Sequence, residues 1–185
     1  MDMKDSILEV AKRLVQQRGV NGFSYADIAK EVGVSKPSLH HHFATKSDLV
    51  VRMLEHYTEQ LIDYLRGLDS DALPAKKKVE GYIDLYRHTL SSDRLCLGGM
   101  LAAEALTLEP AMQQPLSRFF EYQQSWLEQT LLKGQASGEF HFALPAAKQA
   151  KLMIAALQGA LVVSRGSEDK AFFEHSVEGL VSTLG

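Results

Sequence analysis

An all-α protein is predicted by three observations. Apolar residues recur at helical spacing almost throughout the 185 residues. Capping residues and breakers divide that pattern into about nine segments. A strand-like alternation occurs only at Phe140-His141-Phe142, between Gly138 and Pro145, and reads as a loop.

The first helix follows from Ile7, Leu8, Ala11, Leu14 and Val15, which share one face, and stops at Gly19 to Gly22. A second, short helix opens on Ser24 with Asp27 as a capping box and ends at Gly33. Ser35 caps a third, with Pro37 tolerated in its first turn. Thr45 with Asp48 opens a fourth that runs to about Gly67, its face marked by Val50, Met53, Leu54, Tyr57, Leu61, Tyr64, Leu65 and Leu68. Pro74 precedes a fifth over roughly 75–91, and residues 94–107 form a sixth. Pro110 opens a seventh that reaches about Ser137, and Pro145 an eighth to about Val163. Ser167, followed by Glu168 and Asp169, caps a ninth.

Composition narrows the classes. Hydrophobic residues make up 45% and charged residues 23%, an ordinary globular balance. The first thirteen residues are charged throughout and hold no apolar signal core, and the longest nearly apolar run, 152–163, falls short of the ~20 residues that span a bilayer. A single cysteine, Cys96, excludes an internal disulfide framework. The expected location is cytoplasmic, with no membrane association. Net charge is −3, so a nucleic-acid partner would have to be met by locally placed cations. Residues 1–48 carry seven Lys or Arg against six Asp or Glu, a net of +1. An enzyme is not expected: there is no Gly-rich phosphate loop, HExxH, GxSxG, or Cys with an evident His partner, and His88 and His141 are isolated. No cofactor is expected. The consecutive His40, His41 and His42 leave a helix on different sides, so no metal is expected there.

The segment 24–49 is the most informative. Three short helices with a tight turn at Gly33 suggest a helix-turn-helix. Ile28, Ala29, Val32 and Val34 would pack inward, with Leu39 and Phe43 anchoring the third helix. Lys36, Pro37, Ser38, His40 and His41 are left outward, on a helix able to enter a major groove. On Phe23-Ser24, Asp27-Ile28-Ala29, Gly33-Val34-Ser35-Lys36, Leu39, His42-Phe43 and Lys46-Ser47-Asp48-Leu49, the chain resembles the TetR (tetracycline-repressor-like) family of transcriptional regulators. The resemblance implies an all-helical homodimer with N-terminal DNA-binding heads and a C-terminal ligand-binding body. It implies an operator as partner and release of DNA when a small molecule binds. The expected domains are 1–48, the helix-turn-helix, and 49–185, the ligand-binding and dimerisation body. Ser24, Ser35, Lys36, Pro37, Ser38, His40, His41 and Lys46 are the candidate contacts to double-stranded DNA. His40 stands where the family commonly has a tyrosine, Pro37 where glycine is frequent, and Ala26 where some members place a longer polar residue.

In the body, aromatic and sulfur side chains recur at helical spacing. Tyr82, Tyr86, Cys96, Met100, Glu104, Tyr122 and Trp126 are the candidate ligand-binding residues, suited to a small, largely apolar effector. Cys96 supports an alternative regulator that senses oxidants or electrophiles through its thiol. Lys76-Lys77-Lys78 reads as a solvated helix start. The eighth helix is apolar on more than one face, with small Ala155, Ala156, Gly159 and Ala160, so a twin subunit is expected to cover it and the ninth helix.

Overall fold

The structure, a computed structural model, describes residues 2–69, 72–105 and 107–185. Among the described residues there are nine α-helices: α1 Met3–Arg18, α2 Tyr25–Val32, α3 Lys36–His42, α4 Lys46–Leu68, α5 Ala75–Ser91, α6 Leu97–Ala103, α7 Gln113–Ala136, α8 Ala146–Gly166 and α9 Lys170–Ser182. Short 3-10 turns at Val20–Gly22 and Pro110–Met112 complete them. The segment Phe140 to Phe142 is irregular, as its flanking Gly and Pro suggest. The sixth helix is shorter than the expected 94–107, and Leu106 lies outside the described residues.

Local chemistry explains most boundaries. The Asp27 carboxylate accepts the Ser24 backbone N–H at 2.7 Å, and Ser35 Oγ accepts the Ser38 N–H at 3.2 Å. Thr45 and Asp48 exchange bonds, Asp48 N–H to Thr45 Oγ1 at 3.0 Å and Thr45 N–H to the Asp48 carboxylate at 3.1 Å. Gly33 ends α2 in the left-handed region at φ 79° and ψ 32°, where a side chain would be strained. The ninth helix differs from expectation. Its cap is Asp169, whose carboxylate accepts the N–H groups of Ala171 and Phe172, while the Ser167 hydroxyl donates back to the Val163 carbonyl. A serine still within reach of the preceding helix has its hydroxyl taken by that helix.

Two compact units result. The first holds residues 1–61 and 97–119. Its core is Ile7, Leu8, Ala11, Leu14 and Val15 of α1, Ile28 and Ala29 of α2, Leu39 and Phe43, Leu49, Val50, Met53 and Leu54 of α4, and Leu97 and Leu101 of α6. Each fully buried Leu or Ile contributes about 1.5–3 kcal/mol, which fixes α2 and α3 on α1 and α4. Gly98 permits the close approach of Phe119, since a Cβ there would lie 2.1 Å from the ring. The second unit holds residues 62–96 and 120–185. It is centred on Leu65, Val79, Tyr82, Ile83, Leu127, Leu131, Met153, Leu157, Leu161, Phe173 and Val177. Tyr64, expected on the inner face, is 40% exposed and donates its hydroxyl to the Gly81 carbonyl at 3.0 Å. Its polar tip keeps it at the edge of the core.

Helices α8 and α9 pack against each other. One face of α8 (Ala146, Ala150, Met153, Leu157, Ala160, Leu161) is buried, and a second (Leu152, Ala155, Gly159, Val162, Val163) is exposed. Phe172 and Val181 of α9 are exposed as well. By length and hydropathy α8 is long and apolar enough to cross a membrane, a test that a core helix also passes.

Candidate nucleic-acid interface

The surface of α3 follows from its anchors. Leu39 and Phe43 are buried, four residues apart on one face. Lys36, Pro37, His40 and His41 are therefore exposed, with Ser38 half-buried. Ser24 and Ser35, the caps of α2 and α3, are exposed too. Six of the eight candidate DNA contacts thus stand on α3 or its cap, and Ser24 stands at the start of α2.

Lys46 is placed differently. Its ammonium donates to the Phe23 carbonyl at 2.6 Å and lies 4.2 Å from the centre of the Phe23 ring. Burial pulls it below the ordinary lysine range, partly offset by the carboxylates of Glu104 and Asp27. It ties the start of α4 to the strand-like link before α2.

Tyr25 was not singled out in the sequence. Its hydroxyl donates to the carbonyls of Phe43 and Thr45, and its ring packs on His40 with centroids 4.6 Å apart. Burial, with the Asp48 carboxylate adding to it, pushes the phenol up to about 12. Tyr25 thus holds the end of α3 and the turn into α4. His40 Nδ1 lies 3.2 Å from the Ala44 carbonyl. A carbonyl only accepts, so Nδ1 carries the hydrogen and Nε2 is the nitrogen left to face outward. His41 and His42 meet edge to face at 5.8 Å. Among the described residues no three His, Cys, Asp or Glu side chains group as a metal ion would need.

The family model for bacterial regulatory proteins, tetR family, matches residues 7–53, which span α1 to the first turns of α4. The HTH-type transcriptional repressor DhaR of Mycobacterium sp. (strain GP1) is 24% identical over 161 residues, 86% of this chain and 81% of that protein. Several further curated relatives match over less than half of their own length. A TetR transcriptional regulator from Legionella pneumophila superposes with a TM-score of 0.91 at 29% identity, covering 100% of this chain and 98% of that one. A TetR-family regulator from Agrobacterium tumefaciens gives 0.93 at 27%, covering 98% and 97%.

Residues 7–53 match the tetR family, and the chain as a whole has the fold of TetR transcriptional regulators.

Members of this family are transcriptional regulators rather than enzymes. The seven ligand candidates fall into both units. Met100 and Glu104 belong to the first, Tyr82, Tyr86, Cys96, Tyr122 and Trp126 to the second. Glu104 has a structural partner: its carboxylate accepts the Val20 backbone N–H at 2.9 Å, beside Gly19. In the second unit, the buried Tyr82 donates to Gln123 Oε1 at 2.8 Å, and its oxygen lies 3.2 Å from that of Tyr86. Gln158 Nε2 donates to the Tyr86 hydroxyl at 3.3 Å, and the Trp126 ring stacks on Tyr82. Burial pushes the Tyr82 phenol well above the ordinary tyrosine range. Trp126 Nε1–H donates to Asp69 at 3.0 Å. Tyr122 is half-buried and Cys96 is buried. Gln123 and Gln158, absent from the sequence-derived set, are the amides that join the tyrosines. Their only signal was a polar residue on an otherwise apolar helix face.

Proposed function

We propose that the chain is a ligand-responsive transcriptional repressor that binds a palindromic or near-palindromic operator as a homodimer. The observation that carries this reading is the exposed N-terminal half of α3, standing clear of a core anchored by Leu39 and Phe43. Such a helix fits the major groove, with Lys36, Pro37 and Ser38 toward base edges and His40, His41, Ser24 and Ser35 toward the backbone. Residues 1–48 form the DNA-binding domain and 49–185 the body. Repression as the sign of regulation rests on the relatives, DhaR being itself named a repressor.

Dimerisation uses the outward stripes of α8 and α9. The stripe of Leu152, Ala155, Gly159, Val162 and Val163 runs at i, i+3, i+7, i+10 and i+11, the spacing of a helix packed on another helix. A twin subunit covers it, and the protein works in the cytoplasm without a membrane. Two-fold symmetry then sets two recognition helices about 34 Å apart, one turn of duplex.

The effector is a small, largely apolar molecule that binds against Tyr82, Tyr86, Tyr122 and Trp126, with the Gln123 and Gln158 amides as polar anchors. It releases DNA by favouring a state in which the recognition helices are wrongly spaced, to the extent of its differential affinity for that state. Sensing through Cys96 is less supported, because its thiol is buried away from solvent reagents.

Selection of bound duplexes from a random pool, followed by footprinting, tests the reading. Two-fold symmetric sites are expected. Selected sites without such symmetry, with the dimer intact, overturn it. Small molecules screened on the selected duplex then identify the effector by loss of binding.

A further inference from the structure

The lysine run at the start of α5 divides in an unexpected way. Lys76 and Lys77 stand in water, as a solvated helix start requires, but Lys78 is 4% exposed. It lines a cleft of about 560 Å³ within the second unit. The first turn of α5 forms one wall. The last two turns of α7 and the turn beyond form another, through Thr130, Lys133, Ser137 and Glu139. Residues 72–75, Ala-Leu-Pro-Ala, make the apolar side.

Glu139 contributes the one carboxylate among the described lining residues, and it is committed elsewhere. It accepts the backbone N–H groups of Ala75 at 3.1 Å and Lys76 at 3.0 Å, and the Ser137 hydroxyl at 2.9 Å. Those donors hold its carboxyl below the ordinary range, so it caps α5 as an anion. Among the described residues, no hydrogen bond or ion pair engages the Lys78 ammonium or the Thr130 hydroxyl, and neither polar atom is sealed from solvent although both residues are buried. The Lys78 stem is covered while its unpaired ammonium stays open to an opposite charge brought into the cleft. The described lining carries Lys78 and Lys133 against Glu139, a net of +1. One negative charge balances it, and the apolar side accommodates a hydrocarbon body.

We propose that this cleft binds an organic monoanion, a carboxylate on an apolar body, its charge held by Lys78, Lys133 and the Thr130 hydroxyl and its body against residues 72–75. The site does not depend on DNA binding or on the Tyr82 cluster.

Calorimetric titration of the full chain with octanoate tests it, with octanol and inorganic phosphate as comparison probes. Trp126, the single tryptophan, lies one helical turn before Thr130 on α7 but also stacks on Tyr82, so an emission change counts for the cleft only where Lys78→Met or Lys133→Gln reduces it. Octanoate is expected to saturate one site and shift that emission. Lys78→Met should weaken it by about tenfold or more, and Lys133→Gln by a smaller factor. Lys78→Arg should retain most of the affinity. Equal affinity for octanol would leave only an apolar groove, and equal affinity for phosphate only an inorganic-anion site. Either result overturns the proposal, as does unchanged or absent octanoate binding in wild type and Lys78→Met alike. Should Lys78→Met fail to fold by circular dichroism, Lys133→Gln and Thr130→Val decide, and full octanoate affinity in both overturns it.

Discussion

His40 is where one side chain changes the chemistry expected of the recognition helix. With Nδ1 bonded to the Ala44 carbonyl, the His40 ring gives to the turn into α4 a donor that a tyrosine hydroxyl at this position could give to a phosphate oxygen. His40→Tyr should therefore strengthen binding to all duplexes alike, without changing sequence preference. Titrations of wild type and His40→Tyr on the selected and on unrelated duplexes at fixed ionic strength check this; weaker binding by the variant removes position 40 from the backbone contacts. Lys36 and Lys46 should separate in another way. Lys36→Ala should change sequence preference and cost about 1–3 kcal/mol at the preferred site. Lys46→Ala should weaken all duplexes alike and also lower stability, by about 1 kcal/mol, because it removes the bond to the Phe23 carbonyl. Binding over a salt series, with thermal melts of each variant, distinguishes the two patterns.

The short helices that carry these side chains depend on their ends. In α2, the Ser24 N–H and then the Ser24 hydroxyl lower the Asp27 carboxyl below its ordinary value, with Arg18 helping. A group depressed in the folded state contributes stability that is complete above its unfolded-state value. That contribution is lost as pH falls through the folded-state value. Asp27→Ala should thus melt below wild type at neutral pH, and the gap should close between about pH 5 and pH 2. Melting curves across that range check the sign; a gap that widens toward acid contradicts the capping role. Eight residues of α2 and seven of α3 are too few to be stable alone, so loss of a cap should also reduce operator affinity.

In the proposed dimer, association of two chains governs whether the recognition helices reach DNA, because one such helix reads only half of a symmetric site. Val163 lies on the outward stripe of α8 and is exposed in the single chain. Val163→Glu should leave the monomer folded and raise the dimer dissociation constant by about a hundredfold, since a two-fold interface receives the buried charge twice. Light scattering after size exclusion reads the mass, and operator binding should fall with it. A Val163→Glu protein that remains dimeric places the contact elsewhere.

Much of this architecture is legible in the residues alone, for a local reason. Helix periodicity, the caps at Ser35 and Thr45 and the left-handed stop at Gly33 act within four residues of chain, a distance over which spacing is also geometry. The outward side of α3 was legible too, because two anchors four apart dictate what faces away from them. Spacing does not decide between Ser167 and Asp169 as the cap of α9, because both stand at that helix end and the preceding helix takes the Ser167 hydroxyl. The rest came from contacts between residues far apart in the chain. Glu104 meets the Val20 N–H across 84 positions, Gln158 meets Tyr86 across 72, and Tyr25 meets the Phe43 carbonyl across 18. Lys78 reads as one of three solvated lysines until the structure sets it, largely buried, in one cleft with Thr130 and Lys133. Charge and periodicity say which faces a helix has; only packing says which face another helix covers, and burial then decides whether a polar group is solvated, capped or left needing a partner.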